Sequence, residues 1–143
     1  MPEAVVAFYE YQRNYLIDHQ NLIRDFEYEI ARIDMGLITP YILAGRKEDA
    51  REIGEEAFSI LRDRCQESTD RYAADFIEVC SNFGGIQMDL DELDKAEEIY
   101  RQGIAVWEAL PEFLKQKSQI MLNKHILDVN MQKLKLKRGK VER

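Results

Sequence analysis

Apolar residues recur at spacings of three and four along almost the whole chain, and no segment shows the period-two alternation of a half-buried strand. The spacing predicts helices over about 3–17, 21–44, 47–66, 69–88, 91–109 and 112–136. Breaks fall at Gly45-Arg46-Lys47, Ser68-Thr69-Asp70, Asp89-Leu90-Asp91 and Leu110-Pro111. Asp91 is the expected N-cap of the helix carrying Leu93, Ala96, Ile99 and Tyr100. Ser68 or Thr69 is expected to cap the helix carrying Tyr72, Ala73, Phe76, Ile77 and Cys80, and Pro111 to open the last helix. Asp18-His19-Gln20-Asn21 offers capping side chains but no Gly or Pro, so residues 3–44 read as two helices or as one long kinked helix. Pro40 should bend the chain near the end of that region. The connections are short, so neighbouring helices must run antiparallel and pack on one another.

Composition agrees with an all-α chain. Apolar residues make up 45% and charged residues 33% of 143, a balance that excludes both disorder and a Gly/Pro-rich sandwich. The length suits one domain, read as 1–138, followed by a basic tail over 139–143 that is expected to be disordered. No apolar run approaches the roughly 20 residues needed to cross a bilayer, and Met1-Pro2-Glu3 lacks a basic, apolar leader, so the expected compartment is the cytoplasm. Cys65 and Cys80 form no CxxC pair and are expected to stay reduced, with Cys80 in the core. Net charge is -7, but residues 132–143 carry six basic side chains against one acid, which leaves about -12 on the rest. An acidic body repels nucleic acid and anionic membrane. The tail reads as a solvated helix end whose cations suit a helix dipole, with contact to an acidic partner or RNA as the other use.

The run Phe83-Gly84-x-x-Gln87 … Leu93-x-x-Ala96-x-x-x-Tyr100-x-x-Gly103 sets small residues and aromatics at the spacing of two closely packed antiparallel helices. Residues 77–110 resemble a tetratricopeptide repeat on these positions, although Pro111 stands about three residues later than that family's helix-ending proline. A weaker copy covers roughly 31–61, where Tyr41, Gly45, Ala50 and Ala57 match but Ile38 replaces the small residue and Gly54 the aromatic. Ala50 and Ala96 are 46 residues apart, against a family repeat of about 34, so the helices must be longer. The resemblance implies hairpins stacked as a short right-handed superhelix with a C-terminal capping helix, an alternative being an ordinary up-down bundle. Phe113, Ile120, Leu127 and Leu134 repeat every seven residues in the final helix. That seam is expected to cover the last hairpin beneath a polar outer face, or else to pair with its copy in a homodimer.

Candidate chemistry is sparse. Neither His19 nor His125 stands in a Glu-x-x-His pair, zinc spacings are absent, and Gly84-Gly85 lacks the following Lys-Ser/Thr of a phosphate loop. No enzyme, metal or cofactor is expected. In the resembled family the first helix of each repeat lines a groove, which implies a face of Arg32, Met35, Thr39, Ile42 and Leu43 in one copy and Glu78, Ser81, Asn82, Gly85, Met88 and Asp89 in the other. This face lacks the Lys, Arg and Asn of a carboxylate clamp and suits a protein or peptide partner with apolar anchors and positive charge. Met35, Ile42 and Met88 are equally open to a core role. Phe8, Tyr11 and Tyr15 share a helix face with Ala4 and are expected to pack in the core, an interaction surface being the other use. The expected function is a non-enzymatic binding scaffold. The alternatives are a peptide-sensing regulatory domain acting through a separate effector or a change of oligomeric state, and a small helical enzyme or ligand carrier.

Overall fold

The computed structural model describes residues 1–141, with side chains through Gly139, and every regular element in it is a helix. In order these are α1 (Pro2–Asp18), a 3-10 turn (Gln20–Leu22), α2 (Phe26–Leu43), α3 (Lys47–Glu67), α4 (Thr69–Asp89), α5 (Leu93–Ala109), the short α6 (Glu112–Lys115) and α7 (Ser118–Val141). The first boundary resolves as two helices. Ile23 is extended and Asp25 has φ 94°, so the chain reverses, and the Asp25 carboxylate caps α2 by accepting from the Tyr28 N–H at 3.5 Å.

The turns that join α2 to α3 and α4 to α5 lie 46 residues apart and close in the same way. The Arg46 N–H donates to Tyr41 O at 2.8 Å and Gly45 N–H to Ile42 O at 3.0 Å, with Gly45 at φ 78°. The Glu92 N–H donates to Gln87 O at 2.8 Å and Asp91 N–H to Met88 O at 3.1 Å, with Asp91 at φ 60°. Both are Schellman closures, which need a left-handed residue after the helix. Asp91 is therefore the terminator of α4, and Glu92 stands at the N-cap of α5, without a side-chain cap. The Ser68–Thr69 expectation is corrected in the same sense. Ser68 is the N-cap of α4 with no side-chain bond, while Thr69 Oγ1 donates back to Cys65 O at 2.9 Å and finishes α3. Pro111 precedes α6, and the last long helix starts seven residues beyond it.

The core runs between α2, α3, α4, α5 and α7, and close approach is set by glycines roofed by large side chains. A Cβ on Gly84 would lie 2.2 Å from Tyr100 Cε1, so the fully buried Tyr100 ring of α5 rests directly on the α4 backbone. At Gly54 the neighbours are Phe83 and Ile86 of α4, at 2.8 and 3.2 Å, so the first hairpin's missing aromatic makes room for the second hairpin. Cys65 and Cys80 are buried and free, and burial pushes both thiols up.

α7 packs on α4 and α5. Asn123 donates to Ala74 O at 2.9 Å, Asn130 to Ser81 Oγ at 2.6 Å and Lys137 to Met88 O at 2.8 Å. Donors and acceptors both advance by seven residues, so α7 runs parallel to α4. Ile120, Leu127 and Leu134 are buried in this contact, whereas Phe113, on α6, is 66% exposed. The seam thus covers the last hairpin and is closed to pairing with its own copy. The outer face is not polar throughout: Leu122, Ile126, Val129 and Leu136 are exposed there. Helix α7 continues through Gly139 to Val141, so the tail expected to be disordered begins as helix; Glu142 and Arg143 lie outside the described residues. Lys137 meets the carbonyl end of α4 and pairs with Asp91 at 2.9 Å, and Arg138 pairs with Asp94 and Glu97 of α5. These two cations of the basic end fasten α7 to its neighbours.

Candidate functional site

The residues expected to line a groove fall on α2 and α4, which meet through a small polar and aromatic contact. Tyr28 OH donates to Asp75 Oδ2, Arg32 donates to Asp75 Oδ1 at 3.2 Å, and Tyr28 meets Tyr72 edge to face with centroids 5.3 Å apart. Burial, reinforced by the bond to Asp75, pushes the Tyr28 phenol up to about 12, so it remains a donor at neutral pH. One turn along α4, Glu78 is half-buried, and no cation lies within ion-pair distance of it among the described residues. Burial and then the Asp75 charge raise its carboxyl above the ordinary range, with Arg32 opposing.

The sequence-derived groove residues divide. Arg32, Thr39, Leu43 and Asp89 are exposed, and Glu78, Asn82 and Gly85 are half-buried. Met35, Ile42 and Met88 are also half-buried and pack against the core, so each presents only part of its side chain. Ser81 is corrected: at 3% exposure it lies beneath α7, its hydroxyl accepting from Asn130, and it is closed to a groove ligand. The reason is the seven-residue spacing of Ala74, Ser81 and Met88, whose oxygens face α7 along one side of α4, so Met88 stands at the edge between α7 and the exposed face.

Two features lay outside the groove reading. The first is a partly buried charge cluster that clips α1 to the next two helices. Arg13 of α1 donates to Asp34 of α2 at 3.0 Å and to Glu56 of α3 at 3.0 and 3.2 Å. Asp34 is fully buried, and its Oδ2 has no donor on it among the described residues. Burial first, then the Glu56 charge, raises the Asp34 carboxyl far above its ordinary value, and a proton on Oδ2 relieves both. Beside it, a cleft of about 250 Å³ is lined by Glu10, Asn14, Tyr41, Asp49, Glu52 and Glu56. Tyr41 OH donates to Glu10 at 3.1 Å, and Arg46 stacks over the Tyr41 ring at 4.5 Å. No signal near Asp34 in the sequence marks it as buried, because its partner is 21 residues away on another helix.

The second feature is the aromatic face of α1. Phe8, Tyr11 and Tyr15 are 58%, 71% and 53% exposed, which overturns the expected core role. The opposite face of α1, carrying Val6, Tyr9 and Arg13, turns inward instead, and Tyr9 lies against Gly36 of α2. Tyr11, Gln12, Tyr15, Leu16, Glu29 and Ile33 form a depression between α1 and α2.

Among the described residues no helix is long and apolar enough to cross a membrane, and no group of His, Cys, Asp and Glu is placed to hold a metal ion. Comparison with protein-family models, with curated proteins and with solved structures finds no match to this chain.

Proposed function

We propose that this protein is a non-enzymatic interaction module that takes a segment of a partner protein along the α2/α4 face. The observation that carries this reading is Glu78, a half-buried carboxylate one turn from Asp75 that has no cation within ion-pair distance among the described residues. A partner Lys or Arg placed there would relieve the Asp75–Glu78 repulsion, while its apolar neighbours would rest on Met35, Ile42 and Met88. The reading includes a tetratricopeptide-like stack, supported by the shared Schellman turns 46 residues apart. Selection from a random peptide library tests it. The expected ligands carry a basic residue flanked by apolar anchors, and their affinity falls at least tenfold in Glu78→Lys. Failure to enrich any sequence, or ligands indifferent to Glu78→Lys and to Met35→Asp, would count against the groove.

A further inference from the structure

The two ends of the helix stack are both unfinished, and they carry opposite charge. At one end α1 packs on α2 through Val6, Tyr9 and Arg13, and its other side bears Val5, Phe8, Tyr11 and Tyr15, all exposed. These positions fall within one helical stripe, and Leu22 beyond it is 84% exposed. At the other end α7 uses Ile120, Leu127 and Leu134 against its own chain and leaves Leu122, Ile126, Val129 and Leu136 in a second stripe facing outward. The first stripe rises about 15 Å from Val5 to Tyr15 and the second about 21 Å from Leu122 to Leu136, so the second can span the first. Each follows the three-four spacing that lets one helix lie in the groove of another. Exposed carboxylates border the first: Glu3, Asp18 and, across the depression, Glu29. Lys133 stands inside the second stripe with Lys135 nearby, and the one acid of α7, Asp128, is already held by Lys124 at 2.8 Å. Pairing of like stripes would bring the Lys133 and Lys135 charges of two copies into one contact, or the acidic borders of two α1 helices.

We propose that the occupant of the α1 aromatic face is α7 of a second copy of this chain, in a head-to-tail contact. The contact is heterologous, since each copy gives one end and keeps the other, so it can propagate beyond a dimer. One helix pair buries no more than the low end of specific interfaces, about 1,200 Å², so assembly rises with concentration. Opposite charges across the contact make it weaken in salt.

The test uses the full chain and two surface variants, Phe8→Lys/Tyr11→Lys and Ile126→Glu/Val129→Glu, with circular dichroism confirming that both keep their helix content. By analytical ultracentrifugation at low salt the wild type is expected to form dimers and larger species, reverting toward monomer in about 1 M salt. Each variant alone is expected to be monomeric. Their equimolar mixture is expected to give a 1:1 dimer and nothing larger, because one intact α1 face then meets one intact α7 face. A wild type that stays monomeric, a variant that dimerises alone, or a mixture that does not pair would each overturn the proposal. Self-association of the α7 variant would assign α1 to its own copy, and self-association of the α1 variant would do the same for α7.

Discussion

At matching positions 46 residues apart, Asp34 of α2 and Cys80 of α4 are both fully buried, but they are satisfied by different means. Asp34 accepts from Arg13 of α1, its second oxygen meets no donor among the described residues, and burial together with the Glu56 charge raises its carboxyl above the ordinary range. Cys80 needs only space, which it finds against Gly103 of α5, where an added Cβ would meet its own Cβ at 3.0 Å. The same inversion recurs at Gly54 and Tyr100. The first hairpin has a glycine where the second has a ring, and the ring presses on Gly84 within its own hairpin while Gly54 receives Phe83 and Ile86 from the next. The second hairpin is therefore held by close packing. The first is held partly by that packing and partly by a polar clip to α1, which titrates.

The largest expected effect is at the close approach of the second hairpin. Gly84→Ala should destabilise by about 2–3 kcal/mol, since its Cβ meets a rigid, buried ring and not a flexible chain end. Urea denaturation measures it, and a loss of about 1 kcal/mol or less would remove the contrast with Gly54. The clip predicts a pH signature. A carboxyl whose folded value is raised binds more protons folded than unfolded, so its stabilisation is complete below the ordinary carboxylate range of about 4. It is lost as pH climbs from there through the raised value. Asp34→Asn should flatten this decline, by up to about 1.4 kcal/mol per pH unit for one proton, when stability is followed by denaturation from pH 4 to 8. An unchanged slope would mean that Asp34 ionises normally.

Smaller effects separate the two turns. Gly45→Ala should cost about 1 kcal/mol because Gly45 has φ 78°. Asp91→Gly at the equivalent position should gain a little less, since it releases the left-handed strain but loses the ion pair to Lys137. Opposite signs in thermal midpoints would establish the two turns as equivalent. Gly54→Ala should cost about 1 kcal/mol, less than Gly84→Ala, because its Cβ would meet the buried Phe83 ring at 2.8 Å but the movable end of Ile86 at 3.2 Å, and helix propensity offsets part of the loss.

Helix periods and most breaks were legible because each helix buries one stripe and Gly45 marks a left-handed turn. The roll of α1 was not. Its two faces are similarly apolar, and the choice depends on Tyr9 meeting Gly36 and Arg13 meeting Asp34, which are tertiary events. Likewise α7 carries two apolar stripes, and local sequence does not say which one lies inward. The deciding feature is Asn123, Asn130 and Lys137 meeting carbonyls of α4 at the same seven-residue spacing. The exposure of Arg32 and Thr39 followed from the helix period, whereas the covering of Ser81 followed from α7.

The five methionines report on every surface in question at once. Met35 and Met88 are half-buried on α2 and α4, Met1 stands at the outer end of α1, Met121 is exposed on α7, and Met131 is buried on the inner side of α7. In methyl NMR, addition of a peptide selected for binding should move the Met35 and Met88 resonances and leave Met131 in place. Shifts confined to Met1 or Met121, with Met35 and Met88 unmoved, would contradict a binding site on the α2/α4 face.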